Sequence, residues 1–178
     1  MRAIEVKNLS FNYGNIKVFN NLNLNVSEGQ FVTVLGKNGS GKTTLAKILG
    51  GFIRSNTLFF GKKINKKDVC IVFDNIDYNV YGMNILINSI KGFSKKEVSD
   101  KVIELSKKIG FENILNRDFE SICFFEKKLV NLCIGILKEP KILILDNALE
   151  GISNKERINI LRILKRLKIT IVNFTNTS

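Results

Sequence analysis

Residues Gly36-Lys37-Asn38-Gly39-Ser40-Gly41-Lys42-Thr43-Thr44 match the phosphate-loop pattern G-x-x-x-x-G-K-[ST] at every fixed position. Glycines let the backbone curl until successive N–H groups face phosphate oxygens. A helix starting near Gly41 would aim the positive end of its dipole at the same point. Lys42 would neutralise β- and γ-phosphates, and the Thr43 hydroxyl would ligate Mg²⁺. The candidate nucleotide-binding residues are therefore Gly36, Asn38, Gly39, Ser40, Gly41, Lys42, Thr43 and Thr44. Farther on, Ile142-Leu143-Ile144-Leu145-Asp146 is an apolar run ending in a carboxylate. Downstream of a phosphate loop, that pattern fits the strand carrying a second Mg²⁺-binding group, with a buried strand and a capping Asp as the plainer alternative.

These residues need a strand before the loop and a helix after it. Gln30–Leu35 reads as a buried strand, and Leu45–Leu49 as a helix ended by Gly50-Gly51. Residues 3–9 and 17–26 read as two strands; in the second, Leu22, Leu24 and Val26 alternate with Asn23 and Asn25, the signature of a half-buried antiparallel strand. Tyr13 falls between them, placed either to stack on a nucleotide base or to share a sheet face with Phe11. Further strands are expected at Thr57–Phe60, Val69–Phe73 and Ile169–Phe174, with a polar loop at Asp74–Gly82. Capping boxes at Ser94-Lys95-Lys96-Glu97 and Ser153-Asn154-Lys155-Glu156 open helices to about Ile109 and Lys168, and Glu126–Leu137 is a third helix.

Composition narrows the class. A chain of 178 residues with 44% apolar content can bury a core and is globular. No apolar run is long enough to cross a membrane, and the start does not read as a secretory signal. Histidine is absent, which excludes imidazole chemistry. Cys70, Cys123 and Cys133 are scattered without metal-ligand spacing and suggest a reducing cytoplasm. The net charge of +12 is carried by dispersed lysines, so no nucleic-acid partner is expected.

In this order the motifs resemble the ATP-binding subunit of an ABC transporter over nearly the whole chain. The resemblance is strongest to the ATPases of energy-coupling-factor importers. It is carried by Gly36–Lys47, by Val72-Phe73-Asp74-Asn75-Ile76-Asp77 and by Pro140–Asp146, together with the aromatic Tyr13. It implies a P-loop NTPase α/β fold: a parallel core sheet, an N-terminal antiparallel strand layer and a helical subdomain at about 84–138, in one ABC domain spanning 1–178 that stops short of the family's usual C-terminal end. It further implies ATP and Mg²⁺ as cofactors, with Thr43, Asp146 and Asp74 toward the metal and Tyr13 toward the base. The partners it implies are a second ABC ATPase subunit and a transmembrane subunit, at the cytoplasmic face of the membrane.

Departures from the family pattern concentrate at hydrolysis and dimer-interface positions. The family's Gln after Val-Phe is Asp74. Its Leu-Ser-Gly-Gly-Gln signature is Ile122-Cys123-Phe124-Phe125-Glu126, in gapless register with Pro140. The Glu that polarises water is Asn147, a later Asp is Ser153, and the His after the last strand is Asn176. An amide accepts no proton near neutral pH, and loss of a general base costs about 10²–10⁴ in rate. The expectation is an importer subunit that binds nucleotide and hydrolyses it poorly. A regulatory pseudo-ATPase outside transport and a decaying gene copy are the alternatives.

Overall fold

The alternation of leucine and asparagine near the N-terminus produces a long antiparallel hairpin. Strands β1 (Arg2–Tyr13) and β2 (Ile16–Ser27) pair with Ile4 opposite Val26 and Tyr13 opposite Ile16. Both strands run further than the sequence suggested, because the register shifts part-way and re-forms. Asn8 and Asn21 absorb two irregularities with φ of 49° and 58°, a conformation that asparagine tolerates better than most residues. Their N–H groups donate to Asn23 Oδ1 and Ser10 Oγ at 2.9 and 3.1 Å.

The computed structural model describes residues 1–55, 57–59, 61–63, 65, 67–74, 95–110, 112–114, 117 and 121–176. The polar loop expected after Asp74, the Ser94 cap, residues 84–94 of the helical insertion and Phe60 of the fourth strand lie outside them. The chain folds as two compact units. One comprises Met1–Ile71, Pro140–Asn147 and Lys168–Ser178, and the other Val72–Glu139 and Ala148–Leu167.

In the first unit, β4 (Leu58–Phe59) extends the hairpin into a sheet of order β2-β1-β4. The second sheet has the order β3-β7-β6-β5, from β3 (Phe31–Leu35), β5 (Val69–Phe73), β6 (Ile142–Asp146) and β7 (Thr170–Thr175). Strand β7 runs parallel to both its neighbours, with Ile171 beside Phe31 and Val172 beside Ile144. Helix α1 (Lys42–Leu49) is held in the core: Leu45, Ala46, Ile48 and Leu49 join Ala3, Ile4 and Val6 of β1, Ile142 and Ile144 of β6, and Val172 and Phe174 of β7. The α/β architecture expected from the sequence is the one formed.

One strand departs from expectation. The stretch Gln30–Leu35 reads as buried, yet β3 is the edge of its sheet, with Thr33 exposed and Leu35 56% exposed. Hydrophobicity alone does not distinguish an edge strand from a central one. The fully buried strand is β6, where every residue is covered.

The second unit is helical: α2 (Lys95–Ile109), α3 (Phe124–Leu137) and α4 (Asn154–Arg166). Helix α3 starts two residues earlier than the pattern indicated, and α4 ends two earlier. Ser153 caps α4, accepting the Glu156 N–H at 3.4 Å, so its capping reading holds. Among the described residues no cysteine forms a disulfide, and the Cys70 thiol donates to the Ile71 carbonyl at 3.8 Å.

Burial makes a stability test specific. Ile144 is fully covered and Leu35 is not. Ile144→Ala should cost about 2–5 kcal/mol in denaturant unfolding, whereas Leu35→Ala should stay within about 0.5 kcal/mol. Equal losses would contradict the placement of β6 inside the sheet and β3 at its edge.

Candidate functional site

Helix α1 opens from a glycine in the left-handed region. Gly41 is its N-cap at φ 93°, a conformation costly for other residues. A Cβ at Gly41 would stand 2.9 Å from Val18 Cγ1 and 3.0 Å from Phe19 Cε1, so β2 closes directly over the loop. At Gly36 an added Cβ would meet Ser40 Oγ at 2.6 Å. The loop is thus drawn tight at both ends, and the Gly36 N–H donates to the Thr175 carbonyl at 3.4 Å.

Gly41 offers no side-chain cap to α1, and no acidic residue sits in the helix's first turn. The leading N–H groups of a helix have no partner within it, so this end is suited to an anion. Lys42, only 7% exposed, donates from Nζ to the Gly36 carbonyl at 2.6 Å and the Lys37 carbonyl at 2.9 Å. Its ammonium is held inside the curl of the loop.

A cleft of about 330 Å³ lies beside this loop, within the roughly 300–1,000 Å³ of small-molecule sites. Asn38, Gly39, Gly41, Lys42, Thr43 and Thr44 line one side. Tyr13, Ile16 and Val18, at the tip of the hairpin, line another. Tyr13 is 49% exposed and meets the Phe11 ring edge to face at 4.9 Å. Tyr13 thus packs on Phe11 as the sheet-face reading expects, and it also lines the cleft. Gly36 and Ser40 shape the loop without lining the cleft.

Asn147 completes the lining. It follows the buried Asp146 at the end of β6, its N–H donates to the Phe174 carbonyl at 3.0 Å, and its φ is 53°. The Asn147 Oδ1 is buried without a hydrogen-bond partner among the described residues, as is the Oδ1 of Asn173 on β7. A buried acceptor of this kind calls for a donor such as bound water. Asn176 lies just past β7 in the same unit, half-buried.

Among the described residues no group of three or more His, Cys, Asp or Glu could hold a metal ion by itself. Mg²⁺ is commonly held by one or two protein oxygens, the rest of its shell being water and substrate phosphate. A Thr43 hydroxyl in the cleft, Asp146 at the strand end and the donor-less Asn147 oxygen fit that mode.

The remaining candidates belong to the second unit. Asp74, just past β5, is ion-paired with Lys128. Cys123 is the N-cap of α3, and its N–H donates to Glu126 at 2.8 Å; this bond holds the Glu126 carboxyl below its ordinary range. Phe124 is 62% exposed and Phe125 half-buried. Sequence reasoning missed Ile16 and Val18, though an apolar pair beside the Gly14-Asn15 turn was a signal. It also missed Lys128, a charge placed four residues from both Phe124 and Leu132 on a helix that is otherwise largely apolar.

Residues 19–150 match the family model described as ABC transporter. The chain belongs to the ABC transporter family. Among its curated ABC relatives is the spermidine/putrescine import ATP-binding protein PotA of Clostridium novyi (strain NT), 30% identical over 97% of this chain and 54% of that protein. The energy-coupling factor transporter ATP-binding protein EcfA of Aster yellows witches'-broom phytoplasma (strain AYWB) is 27% identical over 95% of this chain and 68% of its own length. The chain thus spans about half of its PotA relative. The solved structure of CbiO1 from Clostridium perfringens, part of the ABC transporter complex cbiONQ, superposes with a TM-score of 0.83 at 24% identity, covering 99% of this chain and 79% of that one. The ADP conformation of MJ1267, an ATP-binding cassette of an ABC transporter, gives 0.80 at 19% identity, covering 100% and 82%. These likenesses establish the ABC ATP-binding fold. Among the described residues, no helix is long and apolar enough to cross a membrane.

The two glycines of the loop should respond differently to alanine. Gly41→Ala meets both the left-handed backbone and the Val18–Phe19 roof, and should cost about 2–4 kcal/mol. Gly39, at φ 79° with nothing within 4 Å of an added Cβ, pays only the backbone term, about 1–2 kcal/mol. Urea unfolding of the two variants measures the gap; no difference would mean that β2 does not close over the loop.

Proposed function

We propose that this chain is the ATP-binding subunit of an energy-coupling-factor-type importer, and that it binds Mg-ATP while hydrolysing it poorly. The observation that carries this reading is the cleft in which Asn38, Gly39 and the residues from Gly41 to Thr44 face Tyr13 on one side and Asn147, an amide, on another. Lys42 and the α1 N–H groups suit the phosphates, Thr43 and Asp146 suit Mg²⁺, and Tyr13 suits the base. Among the described residues, nothing in the lining carries a carboxylate or imidazole that could accept a proton from water. The EcfA relative, covered over more of its length than PotA, supports the importer type.

In this reading the subunit is one half of a heterodimer at the inner face of the membrane, working with a transmembrane subunit. The family arrangement sets each ATP between one subunit's phosphate loop and the other's signature segment. A partner with an intact signature would complete the site on this chain. Phe124 and Phe125 would stand where the family has glycines opposite the partner's ATP, slowing that site. Changing both to Gly should raise the partner complex's turnover. Unchanged turnover would remove them from the interface.

Titration calorimetry tests the reading. The chain should bind ATP in the presence of Mg²⁺, and Lys42→Ala should abolish most of that affinity. Tyr13→Ala should weaken binding by about 1–3 kcal/mol, the range of base–aromatic stacking. No heat at millimolar ATP would overturn the proposal, and an unaltered affinity in Tyr13→Ala would return that ring to a role in the sheet. Asn147→Glu supplies the missing carboxylate at a left-handed position, at a stability cost of about 1 kcal/mol. A self-paired variant should stay slow because Phe124 and Phe125 remain.

A further inference from the structure

Lys128 is a charge in a place that burial should forbid. Its side chain is 6% exposed, and it lies at the start of a run of buried residues from Lys128 to Gly135 on α3. A buried ammonium is costly unless paired and hydrogen-bonded. Lys128 is ion-paired with the Asp74 carboxylate, donates to the Glu150 carbonyl at 2.7 Å, and lies 5.1 Å from the centre of the Phe124 ring. That distance is within cation–π range. These partners come from three separate segments of one unit: the residue after β5, the turn after β6 and the first turn of α3. A neighbouring bond reinforces the join, since Asn131 Nδ2 donates to the Phe73 carbonyl at 3.4 Å.

We propose that Lys128 is a positioning residue that clamps the end of β5 and the turn at Glu150 to the first turn of α3, and that Asp74 is its counter-ion rather than a ligand of Mg²⁺. The pair is asymmetric, because the Asp74 side chain is 49% exposed while the lysine is covered. A divalent cation on this carboxylate would have to share it with an ammonium already bound there, and the two positive charges would repel each other. The acid at 74 and the lysine at 128 are thus one device: the lysine is tolerated in α3 because the acid is present. The clamp stands on its own geometry, and only the clause about Mg²⁺ rests on the nucleotide reading above.

The asymmetry gives a test in the full chain. Asp74→Asn leaves an uncompensated buried ammonium and should lower Tm by about 10 °C. Lys128→Met removes that charge, fills the same slot with an apolar side chain, and should lower it by less. In the Lys128→Met background, Asp74→Asn should shift Tm by at most about 2 °C. Equal shifts from Asp74→Asn in both backgrounds would show that the two residues act independently and would overturn the clamp. Calorimetry with and without Mg²⁺ on the double variant tests the second clause: the factor by which Mg²⁺ raises ATP affinity should match wild type within about twofold. A tenfold fall in that factor would make Asp74 a Mg²⁺ ligand and defeat the clause. If wild type binds no ATP, the nucleotide reading and the Mg²⁺ clause fall together, and the thermal series still decides the clamp.

Discussion

The turn from β3 into α1 passes through a left-handed glycine beneath Val18 and Phe19, and the cleft exists because that turn is held. Gly41 can adopt its φ of 93° without penalty, and the absence of a Cβ lets β2 close over it. Behind the loop, Leu45, Ala46, Ile48 and Leu49 fix α1 in a core shared with β1, β6 and β7. The Lys42 ammonium, bonded to the Gly36 and Lys37 carbonyls, holds the curl from within. An anion arriving at the loop meets donors whose ordering cost has largely been met by folding, which is the basis of preorganised affinity.

In the proposed reading, charge placement separates holding a phosphate from cleaving it. The cleft lining contains a cation, backbone N–H groups and hydroxyls, and at Asn147 an amide. Asparagine suits its backbone there, since φ is 53° and asparagine is enriched in that region. The same amide offers no proton acceptor to water. In the second unit a similar economy of charge applies, where the acid at 74 neutralises a buried lysine. Against the pattern expected from the sequence, the two positions depart in opposite senses: an amide stands where a carboxylate was expected, and a carboxylate with a lysine partner where an amide was expected.

Much of this was legible in the sequence because it is local. The phosphate-loop spacing fixed where α1 starts, the apolar run at Ile142–Leu145 gave β6 to the residue, and Ser153 announced the α4 cap. What could not be read depends on neighbours distant in sequence. The edge position of β3 follows from β7 pairing between β3 and β6. The place of Ile16 and Val18 in the cleft wall follows from the hairpin reaching the loop. The partnership of Lys128 with Asp74 spans 54 positions, and nothing local to either residue names the other. Tyr13 was ambiguous for the same reason, since its ring both packs on Phe11 and faces the cleft.

Following the fate of bound ATP on the isolated chain tests the central claim most directly. With protein in excess over γ-labelled ATP and Mg²⁺, filter retention reports binding and acid quenching reports released phosphate in the same samples. The account predicts that label is retained and stays as ATP, with phosphate released more slowly than about 0.1 s⁻¹, a hundredfold below a median enzyme turnover of about 10 s⁻¹. Retention followed by release at about 1 s⁻¹ or faster would contradict it, as would failure to retain nucleotide at all.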